Sequence, residues 1–151
     1  MKLHDDVNPS LNTVTSYGEG FIQINETRHE SAITFSPEGE VHVWPAHDAS
    51  DISTELLVQA CGLSKAVLDP MAFLDADEGE IALDPNRPEV LLVGTGRKQV
   101  MLPMSTLAAL LRAGVGIECM STGAAARTYN ILMAEGRRVV AALILEKPEH
   151  E

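Results

Sequence analysis

The chain lacks most of the features that announce a chemistry. Its only cysteines are Cys61 and Cys119, far apart and with no C-x-x-C pair. Neither a disulfide framework nor a thiol-based metal or redox motif is therefore present, and a reduced, cytoplasmic setting is the simple expectation. No apolar run approaches the roughly 20 residues that cross a bilayer. The first ten residues, MKLHDDVNPS, have neither the apolar segment of a secretory signal nor the Arg-rich, acid-poor character of a transit peptide. Positive charge is scarce, with 11 Lys and Arg against 22 Asp and Glu and a net charge of −11. That balance excludes a nucleic-acid binder, which needs a basic footprint to displace counterions. His4, His29 and His47 have no ligand spacing with a cysteine or with one another, so no metal site is indicated. No cofactor is indicated either.

What is present is an ordinary globular composition, 45% hydrophobic over 151 residues, enough for one domain with a substantial core. The charge is unevenly distributed. Residues 1–89 carry a net −13, residues 90–145 a net +4 and residues 146–151 a net −2. Arg97, Lys98, Arg112, Arg127, Arg137 and Arg138 all fall in the middle segment. They read either as solvated helix ends and loop tips, or as a local positive patch suited to a small anion or an acidic partner.

Periodicity divides the chain. Residues 1–18 are polar and aperiodic and read as a loosely ordered arm. Residues 19–146 read as a single domain with an irregular, acidic, breaker-rich insertion at 62–89, and 147–151 as a tail. Gly20–Ile24, Ser31–Phe35 and Val41–Trp44 alternate apolar and polar residues, the last two joined by the turn sequence Ser36-Pro37-Glu38-Gly39; they predict an antiparallel meander with one face in water. Asp51–Ala60 predicts a short helix capped by Asp or Ser. From Val90 the pattern changes. Val90–Val93 is uniformly apolar, as a strand covered on both faces should be. Pro103–Ala113 predicts a helix stopped at Gly114, Val115–Met120 a strand, Thr122–Glu135 a helix stopped at Gly136, and Arg138–Leu145 a strand. Strands joined by helical crossovers run parallel and right-handed. The expectation is a layered α/β domain: a C-terminal parallel βαβαβ unit extended, or faced, by the N-terminal meander.

The run VLLVGTGRKQVM invites a nucleotide reading, which fails on spacing. A dinucleotide fingerprint needs a glycine at position 99, where Gln99 stands, and a helix starting at the turn. A phosphate-binding loop ending in Gly-Lys-Ser/Thr is also absent. The geometry still singles out one edge. If the strands ending at Gly94-Thr95-Gly96 and at Ser121-Thr122-Gly123 run in parallel, their tips share a rim, where ligands of parallel sheets gather. The second tip opens a helix, whose free N–H groups favour an anion. Arg97 and Arg127 stand close by in sequence. Against this, Thr122 has the place of a simple helix cap, and the glycines that of backbone turns. Glu118, inside a strand expected to be covered, must be paired or protonated, with Arg127 or Arg97 as the natural partner. Tyr129 lies on the apolar stripe of the last helix, with Asn130 beside it.

Taken together, VLLVGTG and VGIECMSTGAAARTYNILMAEGRRVVAALI carry a recognisable pattern. It comprises Gly94-Thr95-Gly96; Gly116 through Thr122 with Glu118 and Met120; Ala125-Ala126; Thr128-Tyr129-Asn130; and Glu135-Gly136-Arg137. Trp44-Pro45 closes an earlier strand in the same style. The chain resembles the small α/β family that includes the mitochondrial respiratory complex I assembly factor three. The resemblance implies a three-layer α/β fold without an established enzymatic activity, and in mitochondria a role in assembling complex I. No catalytic constellation is visible. The leading expectation is a non-enzymatic interaction or assembly domain that meets a protein partner at the rim of Gly94, Thr95, Gly96, Arg97, Glu118, Thr122, Arg127, Tyr129 and Asn130. The alternative is a small-anion or metabolite binder, or an enzyme, working at the same edge.

Overall fold

The computed structural model describes residues 11–68 and 84–148. Most of the arm expected at 1–18, the centre of the acidic insertion at 69–83 and the end of the tail lie outside the described residues. In chain order the elements are β1 (Val14–Gly18), β2 (Phe21–Ile24), β3 (Thr27–His29), β4 (Ile33–Phe35), β5 (His42–Val43), α1 (Thr54–Ala60), β6 (Val90–Gly94), α2 (Met104–Arg112), β7 (Gly116–Met120), α3 (Thr122–Ala134) and β8 (Val139–Leu143).

Five strands form the main sheet in the order β5-β4-β8-β6-β7. Strands β7, β6 and β8 are parallel, and β4 pairs antiparallel with both β8 and β5. The βαβαβ unit is therefore present as the sequence predicts. The chain steps from β6 out to β7, then crosses back over β6 to β8, which puts α2 and α3 on opposite faces of the sheet. Both faces are covered, and strand parity sorts the side chains between them. Leu91, Val93, Val140, Ala142 and Ile144 enter one core with Leu57, Leu107 and Leu110 of α1 and α2. Leu92, Val139, Ala141 and Leu143 enter the other with Ala125, Ala126 and Tyr129 of α3. Uniformly apolar strands are what such double burial requires.

Among the described residues the three α-helices end alike. The N–H of Gly62, Gly114 or Gly136 donates to the carbonyl three residues back, and the next N–H donates to the carbonyl five back, a closure that needs the left-handed conformation glycine adopts freely. At the other end, Ser53 Oγ accepts from Leu56 N–H and Ser121 Oγ accepts from Ala124 N–H.

The N-terminal strands differ from a single meander. β4 and β5 do form the hairpin expected around Ser36-Pro37-Glu38-Gly39, and β4 extends the main sheet. β2 instead belongs to a separate three-stranded antiparallel sheet, β1-β2-β3. Residues 14–18, expected in a loose arm, are strand β1. β1 pairs with the next strand, β2, but its attachment to the core runs through residues too distant in sequence for local periodicity to register. Asn130 Oδ1 accepts from Val14 N–H (3.0 Å), and Asn130 Nδ2 donates to Val14 C=O (2.8 Å). Tyr129 Oη donates to Asn12 C=O (2.7 Å), its ring edge-on to Phe35 at 4.7 Å. The small sheet thus packs beside α3, with Val14, Ile22 and Ile24 joining the second core.

Replacing Asn130 with alanine leaves both backbone groups of Val14 without their partner in a buried place. We expect a loss of about 2–4 kcal/mol in denaturant unfolding. The buried ionisable groups give a pH prediction. Burial pushes the Cys61 thiol up to about 12 and also raises the Cys119 thiol and the Tyr129 hydroxyl. Unfolded thiols ionise near about 8.5. Below that both states hold the protons and these groups leave stability unchanged. Above it the unfolded chain binds fewer protons, so stability falls as pH rises. The unfolding midpoint is expected to decline above about pH 8.5, and less steeply in Cys61→Ala, as measured by denaturation across a pH series.

Candidate functional site

The parallel register brings Gly94 beside Met120 on one side and Leu143 on the other, so the carboxyl ends of β6, β7 and β8 share one rim. The turns following them interlock. Thr95 N–H donates to Met120 C=O (2.9 Å), Thr122 N–H to Gly96 C=O (2.8 Å) and Ile144 N–H to Gly94 C=O (2.9 Å). The Thr122 hydroxyl closes the set, accepting from Gly96 N–H (2.9 Å) and donating to Ile144 C=O (2.6 Å) while only 1% exposed. Thr95 is also buried. Its Oγ1 lies 2.7 Å from Lys98 C=O and 3.1 Å from Met120 C=O, and it accepts from Val100 N–H at 3.0 Å. The rim has no room beneath these bonds. A Cβ on Gly94 would fall 2.8 Å from Leu143 Cδ2 and 3.0 Å from Thr122 Cα; one on Gly123 would fall 2.8 Å from the Tyr17 hydroxyl.

The charged residues of the rim are turned toward the N-terminal sheet. Arg97 pairs with Glu19 (2.7 Å) and donates to Lys147 C=O (2.7 and 3.1 Å). Arg127 Nη1 donates to the Tyr17 hydroxyl. Tyr129 and Asn130 reach Asn12 and Val14, as above, on the flank of α3 that faces β1. Glu118 differs from the covered, paired carboxylate expected of it. It is exposed on β7, because α3 returns across β6 to β8 and leaves the outer part of β7, the edge strand, to water. The structure therefore brings Gly94, Thr95, Gly96 and Thr122 into one interlocked cluster. Arg97 and Arg127 are placed around it, and Glu118 stands apart on the sheet edge. Among the described residues no group of three or more His, Cys, Asp or Glu could hold a metal ion.

The connector between this rim and α2 carries a surface that the sequence pattern does not single out. Val100 (42% exposed), Met101 (70%) and Met104 (65%) present large apolar side chains to solvent. The loop runs along the open side of β7. There Gln99 Nε2 donates to Cys119 C=O (2.9 Å), covering one carbonyl of the unpaired edge, and lies 3.7 Å from Met101 Sδ. The available signal was a strand-to-helix connector, QVMLPM, with more apolar residues than a solvated loop requires.

Comparison with known proteins places this geometry. The family model described as a protein of unknown function (DUF498/DUF598) matches residues 14–144. The solution structure of a Bordetella pertussis protein described as a Mth938-like domain is 55% identical, with a TM-score of 0.75, covering 99% of this chain and 97% of that one. The rat NADH dehydrogenase [ubiquinone] 1 alpha subcomplex assembly factor 3 is 42% identical over 62 residues, 41% of this chain and 33% of that protein. A Francisella tularensis protein called the 13 kDa major membrane protein is 37% identical over 57 residues, 38% of this chain and 46% of that protein. The chain spans about half the length, or less, of the curated relatives it matches. Among the described residues no helix is long and apolar enough to cross a membrane.

Thr122→Val keeps the shape of the side chain but strands Gly96 N–H and Ile144 C=O in a buried position. It is expected to cost about 2–4 kcal/mol in chemical denaturation. Thr122→Ser, which keeps the hydroxyl, is expected to cost less than about 1.5 kcal/mol. Equal losses in the two variants would mean that packing, not the hydroxyl, closes the rim.

Proposed function

This chain belongs to the DUF498/DUF598 family, and we propose that it works there as a non-enzymatic protein-interaction domain serving the assembly of a larger complex. The observation that carries the reading is the exposure of Val100, Met101 and Met104 on one loop beside the open edge of β7. Contiguous exposed apolar side chains mark contact surfaces, and methionine adapts its shape to a partner at little cost. The interlocked turns behind the loop hold it on a rigid base. In this proposal the partner meets Arg97 through Met104 and the exposed side of β7, Glu118 included, while Gly94, Thr95, Gly96 and Thr122 set the shape from within. The name of the rat assembly factor points the same way. A cytoplasmic setting is part of the proposal and suits two free, buried cysteines.

The alternative use of this rim, as a small-anion or metabolite site or an enzyme centre, draws no support from its geometry. The Thr95 and Thr122 hydroxyls and the N–H groups of Thr122 and Ala124 are already bonded, and Arg97 and Arg127 engage Glu19 and Tyr17.

The double variant Met101→Glu/Met104→Glu tests the proposal in affinity purification from cells at native expression, read by quantitative mass spectrometry. At least one protein retained by the wild type is expected to fall about tenfold, as the loss of central contacts does. Stability should stay within about 0.5 kcal/mol, because both side chains are at the surface. Identical retention by both forms, or nothing specifically retained by either, would refute it.

A further inference from the structure

The other end of the sheet is open. β4 ends at Phe35, opposite Ala141, whereas β8 begins two residues earlier, at Val139. Among the described residues no strand lies beside Val139 and Val140 on that side, and the loop from Ser36 to Glu40 turns away toward β5. The gap is the mouth of a cleft of about 850 Å³. It reaches both cores, which the sheet separates elsewhere: Cys61 and Val140 line it from the α1 side, Phe35 and Met133 from the α3 side. A cleft of this size with an apolar floor has the dimensions of a small-molecule site.

Its walls carry opposite charges. The hairpin loop contributes Glu38 and Glu40, and the turn between α3 and β8 contributes Arg138. All three are exposed. The Arg138 guanidinium donates to a neutral group, Pro85 C=O (2.7 Å), and among the described residues no ion pair joins it to either glutamate. Arg137, beside it, is already neutralised by Glu89 at 3.2 Å. Carboxylates on one wall, a guanidinium on another and an apolar floor between them match a ligand with a cationic end, an anionic end and a hydrophobic body.

We propose that this cleft binds a small zwitterion of the apolar amino-acid or short-peptide class. Its ammonium group lies toward Glu38 and Glu40, its carboxylate toward Arg138, and its side chains lie on Phe35, Cys61, Met133 and Val140. The site is independent of the partner surface at the opposite rim. Ligands of parallel sheets ordinarily collect beyond the carboxyl ends of the strands; here Thr122 fills the space between those ends, and this concavity lies at the amino end of β8.

Calorimetric titration of the full chain with leucyl-leucine, both termini free, tests the proposal, with N-acetyl-leucyl-leucinamide as the uncharged comparison. Saturable binding of the free dipeptide is expected, with the blocked one at least about tenfold weaker, since each end loses a charge-assisted bond. Arg138→Gln and the double variant Glu38→Gln/Glu40→Gln should each weaken the free dipeptide about tenfold and narrow its advantage over the blocked one. Among the described residues no bond is made by the Glu38 or Glu40 carboxylate, so the double variant remains informative even if Arg138→Gln disturbs the turn at Pro85. Glu26→Gln, an exposed carboxylate outside the cleft, should bind as the wild type does. No saturable binding of the free dipeptide, equal binding of both dipeptides, or unchanged affinity in the glutamate double variant would overturn the proposal.

Discussion

The Thr122 hydroxyl, accepting from Gly96 N–H and donating to Ile144 C=O, ties together the turns that end β6, β7 and β8. Its position imposes further constraints. To lie between strand ends, the first residue of α3 must press against the sheet, and that contact leaves no space for a side chain at position 94. The helix behind it must then run close to the strands, so its inward face carries Ala125 and Ala126, both fully buried. Small residues along α3 bring its backbone near the sheet, and larger ones further along, Tyr129 and Met133, fill the space toward its other end. A Gly-Thr-Gly turn that resembles a phosphate cradle in sequence becomes, under this constraint, a seal.

The same helix holds the molecule's second sheet. Three short strands are marginal by themselves and need a face to pack against. α3 supplies it on its flank, with hydrogen bonds as well as apolar contact: Asn130 to both backbone groups of Val14, Tyr129 to Asn12, and Arg127 to Tyr17. These bonds fix more than stability. A small sheet resting on apolar contacts alone could slide along the helix, whereas a side-chain amide pairing with one residue's N–H and C=O admits a single register. Arg97 adds a tether at the rim through Glu19, and Gly20 N–H donates to Glu146 C=O (2.9 Å), so the sheet is held at both ends of its approach to the core.

How much of this was legible follows from where the decisive contacts lie. The β6–β8 unit could be read because its causes are local: apolar runs for doubly covered strands, 3.6-residue stripes for the helices, and glycine where each helix must stop. The hairpin of β4 and β5 was legible for the same reason. β1 was not, because VTSYG has weak alternation and, beyond its ladder with β2, owes its place against the core to Asn130, 116 residues away. The separation of β2 from β4 into different sheets was equally hidden, since an alternating strand carries no mark of which neighbour it joins. Glu118 shows the limit most clearly. GIECM has the composition of an inner strand, and only the order β5-β4-β8-β6-β7 reveals it as an edge whose outer part the returning helix does not cover. That Gly94, Thr95, Gly96 and Thr122 come together was legible, because parallel strands must end on one rim. The displacement of Glu118 to the edge and the turn of Tyr129 and Asn130 toward β1 were not. The saturation of the rim residues by one another was illegible, because it depends on how closely the helix approaches.

A closed rim and an open one follow from a single asymmetry in the connections. At the carboxyl ends of the parallel strands, the β7-to-α3 connection is only Ser121, so the helix start is drawn in among the strand tips and fills the space between them. At the amino ends the chain arrives by longer routes: through Glu135 to Arg138 into β8, and through the Ser36–Glu40 loop out of β4. Neither route presses into the sheet, and β4 stops short of the start of β8. The general preference of α/β proteins for ligands at the carboxyl rim rests on a crevice left outside the strand ends where the strand order reverses. Here Thr122 and the start of α3 fill the space between the strand tips. What is left at that rim is the outward-facing connector from Gln99 to Met104, whose exposed Val100, Met101 and Met104 are the surface on which the proposed protein contact rests.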